Sequence, residues 1–365
     1  METKKLIVST SPHFRSKDSV KLIMYLVVIA LLPTAIVGIY FYGLPALKVI
    51  LFSVLTAVIT EYIIQKFRKV KVTVQDGSAA LTGLLLALTL PPNLPFYIPV
   101  IGSFFAIAIG KQIFGGLGYN PFNPALLGRA FLLAAWPVSL TTTWQAPTKV
   151  IGLSGILQSK LVAVLQPSGN EVLIEALSSA TPLNLLKQVF NTIQTGELSQ
   201  EIGDKVINLL YSTDNLFNLM IGRVGGSIGE ACAILIILAG LFLIIRKIIT
   251  WHIPVSYILT VAVFAWIFGG QKGAFFTGNP LFHIFAGGLM LGAFFMATDY
   301  VTSPMTSKGK LIFGVGAGLL VVIIRRWGGY PEGVCYSILL MNMATPLIDR
   351  FTKPKVFGFT KPDKD

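Results

Sequence analysis

LIMYLVVIALLPTAIVGIYFYG, from Leu22 to Gly43, contains no charged residue. At 1.5 Å rise per residue this run is long enough, as a helix, to cross a hydrocarbon core of ~30 Å. Ala46–Phe67 follows at once and carries only Lys48, Glu61 and Lys66 as charges. Two such runs in succession fit a multi-pass membrane protein and leave no place for a cleavable leader. The whole chain agrees. Of its 365 residues 54% are hydrophobic and 12% charged, too apolar for an ordinary soluble domain.

Outward from these runs the pattern continues. Gly77–Leu90 is short and ends at Pro91-Pro92, Phe96–Gln112 is fuller, and Pro124–Trp136 is short again and ends at Pro137. A long polar stretch from Val138 to Ser227 then intervenes. After it come Ile228–Ile245, Ile253–Gly269, Leu281–Thr298, Lys310–Ile324 and Gly333–Ile348. Short segments bounded by Gly and Pro predict broken helices, which membranes accept only where protein or a cavity satisfies the backbone. The halves share punctuation, since Gly118-Tyr119-Asn120-Pro121 precedes the fifth segment and Gly329-Tyr330-Pro331 the tenth. Five segments per half is odd, so the second half enters from the opposite side. The expected fold is all-α, with about ten transmembrane segments as two inverted five-segment repeats.

The expected organisation is a cytoplasmic N-terminal segment 1–21, a membrane repeat 22–137, an outer segment 138–227, a second repeat 228–349 and a cytoplasmic tail 350–365. Charge supports it. With the N-terminus inside, 19 of the 29 Lys and Arg fall on cytoplasmic segments, against Lys48, Lys272, Arg325 and Arg326 on short outer connections. Arg325-Arg326 fits this arrangement least well. The net charge of +13 would suit nucleic acid, but the basic residues are spread between apolar runs, so the partner expected is the lipid bilayer and no nucleic acid. Cys232 and Cys335 fall in apolar runs, and His13, His252 and His283 lie far apart, so no metal site is expected.

Within the polar stretch, Ser178-Ser179-Ala180-Thr181-Pro182-Leu183 marks a helix start. Pro182 suits the first helical position and pushes Thr181 out of the α region, making it an N-cap. Leu183, Leu186, Val189, Phe190 and Ile193 continue the helix to about Ile193. The small neighbours leave the Thr181 hydroxyl exposed to an approaching enzyme, and a phosphate esterified there would meet free N–H groups and the positive dipole end. A plain Thr-Pro cap is the competing account. Ala344-Thr345-Pro346-Leu347 repeats the four residues inside an apolar span, where no soluble enzyme reaches.

The Thr181 stretch resembles the site at which a flavin transferase attaches FMN, through its phosphate, to threonine in two related bacterial membrane proteins. These are the D subunit of the Rnf complex and the B subunit of the sodium-pumping NADH:quinone reductase. The family usually has Gly at the place of Ser179. Further stretches carry the resemblance over nearly the whole chain: Ser11 to Ser16, Thr82 to Pro92, Phe122-Asn123-Pro124-Ala125, Met296 to Asp299 with Val301 to Pro304, and Gly328 to Val334. Tyr300 stands where the family often has Pro. The short N-terminal extension favours the Rnf member of the pair.

The resemblance implies a fold akin to urea and ammonium channels, and covalent FMN at Thr181 with Ser178, Ser179 and Ala180 as its motif. A second, non-covalent flavin among the helices is also implied. It implies a subunit, without a complete active site of its own, of an ion-translocating ferredoxin:NAD oxidoreductase in the bacterial inner membrane. Iron–sulfur, flavin and other membrane subunits would be its partners, and a flavin transferase would mature it. Both termini would be cytoplasmic, and Thr181 would lie outside.

Three ionisable residues within or at the ends of spans are candidates, because burying a charge in lipid costs about 2.5–3.5 kcal/mol or more. Glu61 serves an ion path or pairs with nearby Lys66. Arg129 faces inward to hold a flavin, a carboxylate or exposed carbonyls. Asp299 belongs to an ion path or is a turn residue. Glu230 and Asp349 are interfacial, and His283 is a satisfied buried histidine. The competing function is a transporter or channel of the same architecture without flavin, and a scaffold subunit is a third reading.

Overall fold

The structure, a computed structural model, describes residues 18–141, 144, 181–196, 198–270 and 275–353. Ser178, Ser179, Ala180, the first seventeen residues and the tail from 354 onward lie outside the described residues. The described residues form fifteen α-helices and no strand. The first set comprises α1 (Val20–Tyr42), α2 (Leu44–Phe67), α3 (Ser78–Leu88), α4 (Tyr97–Ile107, prolonged by a π turn Ala108–Gln112) and α5 (Pro124–Ala135), with a short α6 (Pro137–Thr141). Then come α7 (Pro182–Thr195), α8 (Gln200–Leu210) and α9 (Thr213–Ile221). The second set is α10 (Ala233–Ile245), α11 (His252–Phe268), α12 (Pro280–Phe285), α13 (Leu289–Leu291, prolonged by a π turn Gly292–Met296), α14 (Ser307–Trp327) and α15 (Val334–Phe351).

Each of the ten apolar intervals in the sequence contains a helix or a broken helix. By length and hydropathy α1, α2 and α14 suffice to cross a membrane, with mean hydropathies of 2.6, 2.0 and 1.8. On α1, Ile29, Leu32 and Ile36 are exposed, as are Leu51, Leu55 and Ile59 on α2. Apolar stripes at this spacing on an integral membrane protein face lipid. The opposite faces join one core that runs through both sets. The sets also pack alike: α2 on α3 and α4, then α4 on α5; α11 on α12 and α14, then α14 on α15.

Small residues set the closest approaches. A Cβ on Gly83 of α3 would lie 2.7 Å from the Ser53 carbonyl oxygen and 2.8 Å from the Val54 Cα, backbone atoms of α2 that cannot step aside. Gly83→Ala is therefore expected to destabilise the protein by about 1–3 kcal/mol through overpacking. Unfolding in detergent measures this, and an unchanged stability would show that α2 and α3 can separate freely.

The third segment of each set is the broken one, and an arginine repairs each break. α3 stops at Leu88, and Arg129 Nη1 donates to the freed Thr89 carbonyl. α12 stops at Phe285 and the chain restarts at Leu289. Arg325 Nη1 donates to the His283 carbonyl at 2.5 Å, and Nη2 to the Ala286 carbonyl at 3.1 Å. Its Nε donates to the Glu332 carbonyl at 3.0 Å. Arg325 is thus a buried donor to backbone oxygens that water does not reach, not the exposed topology signal that charge counting expects.

The described part of the polar stretch after Val138 is helical and has its own small core. Leu183, Leu186 and Val189 of α7, Val206 and Leu210 of α8 and Leu219 of α9 bury against Phe282 and Ala286 at the second break. Gly287 makes this docking possible. Its φ is +77°, and a Cβ there would sit 2.7 Å from the Leu183 side chain.

Candidate functional site

Thr181 is the N-cap that Thr-Pro predicts. Its φ and ψ are −64° and 155°, its carbonyl accepts from Leu185 N–H at 2.7 Å, and its Oγ accepts from Asn184 N–H at 3.4 Å. α7 runs from Pro182 to Thr195 and closes on Gly196 in the left-handed region. The accessibility differs from expectation, because Thr181 is only 7% exposed. Docking of Leu183 against Gly287 draws the start of α7 down onto the membrane helices. Sequence neighbours could not reveal this, since the covering groups come from elsewhere in the chain.

Two small cavities meet at Thr181. One, of about 30 Å³, is lined by Arg129, Trp144, Tyr330, Glu332 and Tyr336. The other, of about 20 Å³, is lined by Val224, Glu230, Phe285, Gly287 and Glu332. Arg129 Nη2 pairs with the Glu332 carboxylate while Nη1 holds the Thr89 carbonyl. Glu230 accepts from the Ser227 hydroxyl at 2.7 Å. Thr181 therefore stands at a helix N-terminus on cavities that Arg129, Glu230 and Glu332 also line. Among the described residues the first-turn N–H groups of Leu183 and Asn184 have at most the weak Thr181 contact as partner, so the site keeps donors suited to a phosphate ester.

Glu61 does not pair with Lys66. Lys66 Nζ lies 5.7 Å over the Tyr62 ring, and Glu61, fully buried, meets Lys111 instead. Lys111 Nζ donates to both Glu61 oxygens at 2.8 Å and to Ser78 Oγ at 2.6 Å, which uses all three of its protons. Gln65 and Gln112 also donate to Glu61 Oε1, at 3.1 and 3.0 Å, and Ser78 donates to Asp76 at 2.5 Å. Lys111 is 1% exposed, so it too leaves the set of cytoplasmic loop charges. A cavity of about 90 Å³ opens on the far side of Lys111, lined among others by Thr82, Asn120, Asn123 and Asp299. Asp299 forms a turn, accepting from Val301 N–H and the Thr302 hydroxyl at 3.4 Å each.

The structure thus places Arg129 beside Thr181, and places Asp299 on the cavity of Lys111 with Glu61 behind it. Sequence reading does not single out Glu332 and Lys111, and takes Glu230 for interfacial. The signal for Glu332 is its position in Gly-Gly-Tyr-Pro-Glu-Gly, where an acid stands next to a break. Lys111 offers only a cation at the end of an apolar run. Thr345, in the second Thr-Pro-Leu, is buried within α15 and donates to the Thr302 and Met341 carbonyls at 2.9 and 3.1 Å. Asp349 Oδ1 accepts from Met305 N–H at 3.1 Å, and His283 Nε2 has no hydrogen-bond partner among the described residues, contrary to the satisfied histidine expected. Among the described residues no group of His, Cys, Asp and Glu could hold a metal ion.

Comparison with known proteins covers nearly the whole chain. The sequence profile of the NQR2, RnfD, RnfE family matches residues 7–358. The D subunit of the proton-translocating ferredoxin:NAD(+) oxidoreductase complex of Clostridium ljungdahlii is 49% identical over 352 residues, 96% of each chain. The D subunit of the Na(+)-translocating ferredoxin:NAD(+) oxidoreductase complex of Acetobacterium woodii is 46% identical over 365 residues, 100% of this chain and 99% of its own. The D subunit of the ion-translocating oxidoreductase complex of Stutzerimonas stutzeri is 42% identical, over 94% of this chain and 93% of its own.

Proposed function

Because this chain belongs to the NQR2, RnfD, RnfE family, we propose that it is the RnfD-type membrane subunit of an ion-translocating ferredoxin:NAD oxidoreductase and carries FMN esterified to Thr181. It works within a multisubunit complex, with iron–sulfur and flavin subunits as electron partners and Na⁺ or H⁺ as the ion moved. Both termini lie on the cytoplasmic side, the two five-segment sets are inverted relative to one another, and Thr181 lies on the outer side.

The observation that carries the reading is the position of Thr181: as the N-cap of α7 it lines one cavity with Arg129 and Glu332 and a second with Leu183, Glu230 and Glu332. Thr181 Oγ would hold FMN as a phosphate ester, made by a transferase with loss of the hydroxyl proton and of a leaving group from the phosphorus. Since Thr181 is buried, attachment occurs before α7 docks or while its first turn lifts away. FMN held there would supply single-electron transfer. The chain would supply position and charge: the N–H groups of Leu183 and Asn184 and the Arg129 guanidinium would hold the phosphate, and Glu230 and Glu332 would limit how much negative charge the seat accepts.

The test is in-gel fluorescence of the denatured protein, co-expressed with a flavin transferase. Wild type and Thr345→Val are expected to fluoresce and Thr181→Val to be dark. A dark wild type beside an active transferase would remove the covalent flavin from this chain and favour a pore without a redox group.

A further inference from the structure

A cavity of about 140 Å³ lies along the other side of α7, between that helix and the ends of α11 and α14. Among the described residues three cations line it, Lys187, Arg325 and Arg326, and no carboxylate does. Arg325 is spent on three carbonyls, as described above. Lys187 uses one proton on the Gly328 carbonyl, and its burial pushes its ammonium below the usual range. Arg326 lies 5.1 Å over the Phe190 ring. His283 also lines the cavity, 8% exposed, and its buried Nε2 has no hydrogen-bond partner among the described residues. A buried polar atom without a partner keeps its desolvation cost uncompensated, so a ligand that satisfies it gains by entering.

The rest of the wall is aromatic and apolar. Phe190, Phe268 and Trp327 form it, and Trp327 is 65% exposed at the end of the apolar helix α14, as interfacial tryptophans are. The two helices that bound the cavity also expose apolar side chains, Leu259, Val263 and Trp266 of α11 and Ile323 of α14. Cations at the ends of apolar, lipid-exposed helices form the complement of an anionic amphiphile.

We propose that this cavity binds the phosphate headgroup of an anionic membrane phospholipid. The Lys187 ammonium, the Arg326 guanidinium and the Nε2–H tautomer of His283 donate to the phosphate oxygens, and the acyl chains lie along α11 and α14. The site stands apart from Thr181 and does not depend on the flavin reading.

The experiment uses the full-length protein in zwitterionic detergent, titrated in turn with phosphatidylglycerol, phosphatidylcholine and inorganic phosphate. Thermal unfolding reports binding, and native mass spectrometry counts retained lipid. Phosphatidylglycerol is expected to raise the midpoint and to remain as a bound adduct, whereas phosphatidylcholine does neither. Lys187→Gln/Arg326→Gln, two partly exposed positions whose exchange spares the core, is expected to need at least about tenfold more phosphatidylglycerol, as loss of charge-assisted hydrogen bonds implies. Arg326→Lys keeps the charge and most of the response, and Thr181→Val keeps all of it. Equal responses to the two lipids, or an unchanged response in the double variant, would overturn the proposal. The same shift from inorganic phosphate alone would assign the cavity to free phosphate and overturn the lipid.

Discussion

Lys111→Met is expected to destabilise the protein by about 3–5 kcal/mol, the cost of leaving one partner of a buried ion pair behind. Glu61 is fully buried and takes two hydrogen bonds from Lys111 at 2.8 Å. With the ammonium gone, Gln65 and Gln112 still donate, but only to Oε1. Oε2 and Ser78 Oγ lose the donor that ties α2, α3 and α4 together at this end. Glu61→Gln/Lys111→Met removes both charges and is expected to recover most of the loss, because two neutral groups of similar volume need no mutual compensation. Equilibrium unfolding in mixed micelles, run as a double-mutant cycle, measures the coupling. A single variant within about 1 kcal/mol of wild type would mean that water or lipid headgroups reach Glu61, which its burial contradicts.

Arg129→Met is the second large effect, expected at about 3–5 kcal/mol, because it strands two groups at once. The Thr89 carbonyl at the end of α3 loses its donor, and the Glu332 carboxylate loses its cation beside Glu230. Glu332→Gln added to Arg129→Met is expected to restore much of the stability. That double variant separates two roles of the arginine. It folds without a guanidinium at the Thr181 cavity, so its in-gel flavin fluorescence reports the phosphate seat alone, and a drop is expected. Restored stability with undiminished fluorescence would confine Arg129 to repair of the α3 break.

Such pairs mark the boundary of what a sequence discloses. The runs Leu22–Gly43 and Ala46–Phe67 announce α1 and α2 within two residues of their observed starts and at most one of their ends. Thr181-Pro182 announces the start of α7, and Gly-bounded and Pro-bounded short runs announce α3 and the break between α12 and α13. These are local statements. A cap, a fixed φ, or an apolar run matched to bilayer thickness depends on neighbours along the chain, and those neighbours are written in order. The family motifs were legible for the same reason, being contiguous.

What the sequence by itself determined is an all-α integral membrane protein, the places where its helices stop, and Thr181 as the head of a helix. What only the tertiary structure decided is who answers each buried charge. Lys111 meets Glu61 across 50 residues and Arg129 meets Glu332 across 203. Arg325, exposed by charge counting, closes the backbone of a broken helix, and Thr181, at the head of α7, is buried where sequence neighbours leave it open. Desolvation is the physical reason. A charge or carbonyl removed from water must find a partner within about 3 Å, and which residue stands there is fixed by helix packing, to which order along the chain gives no key.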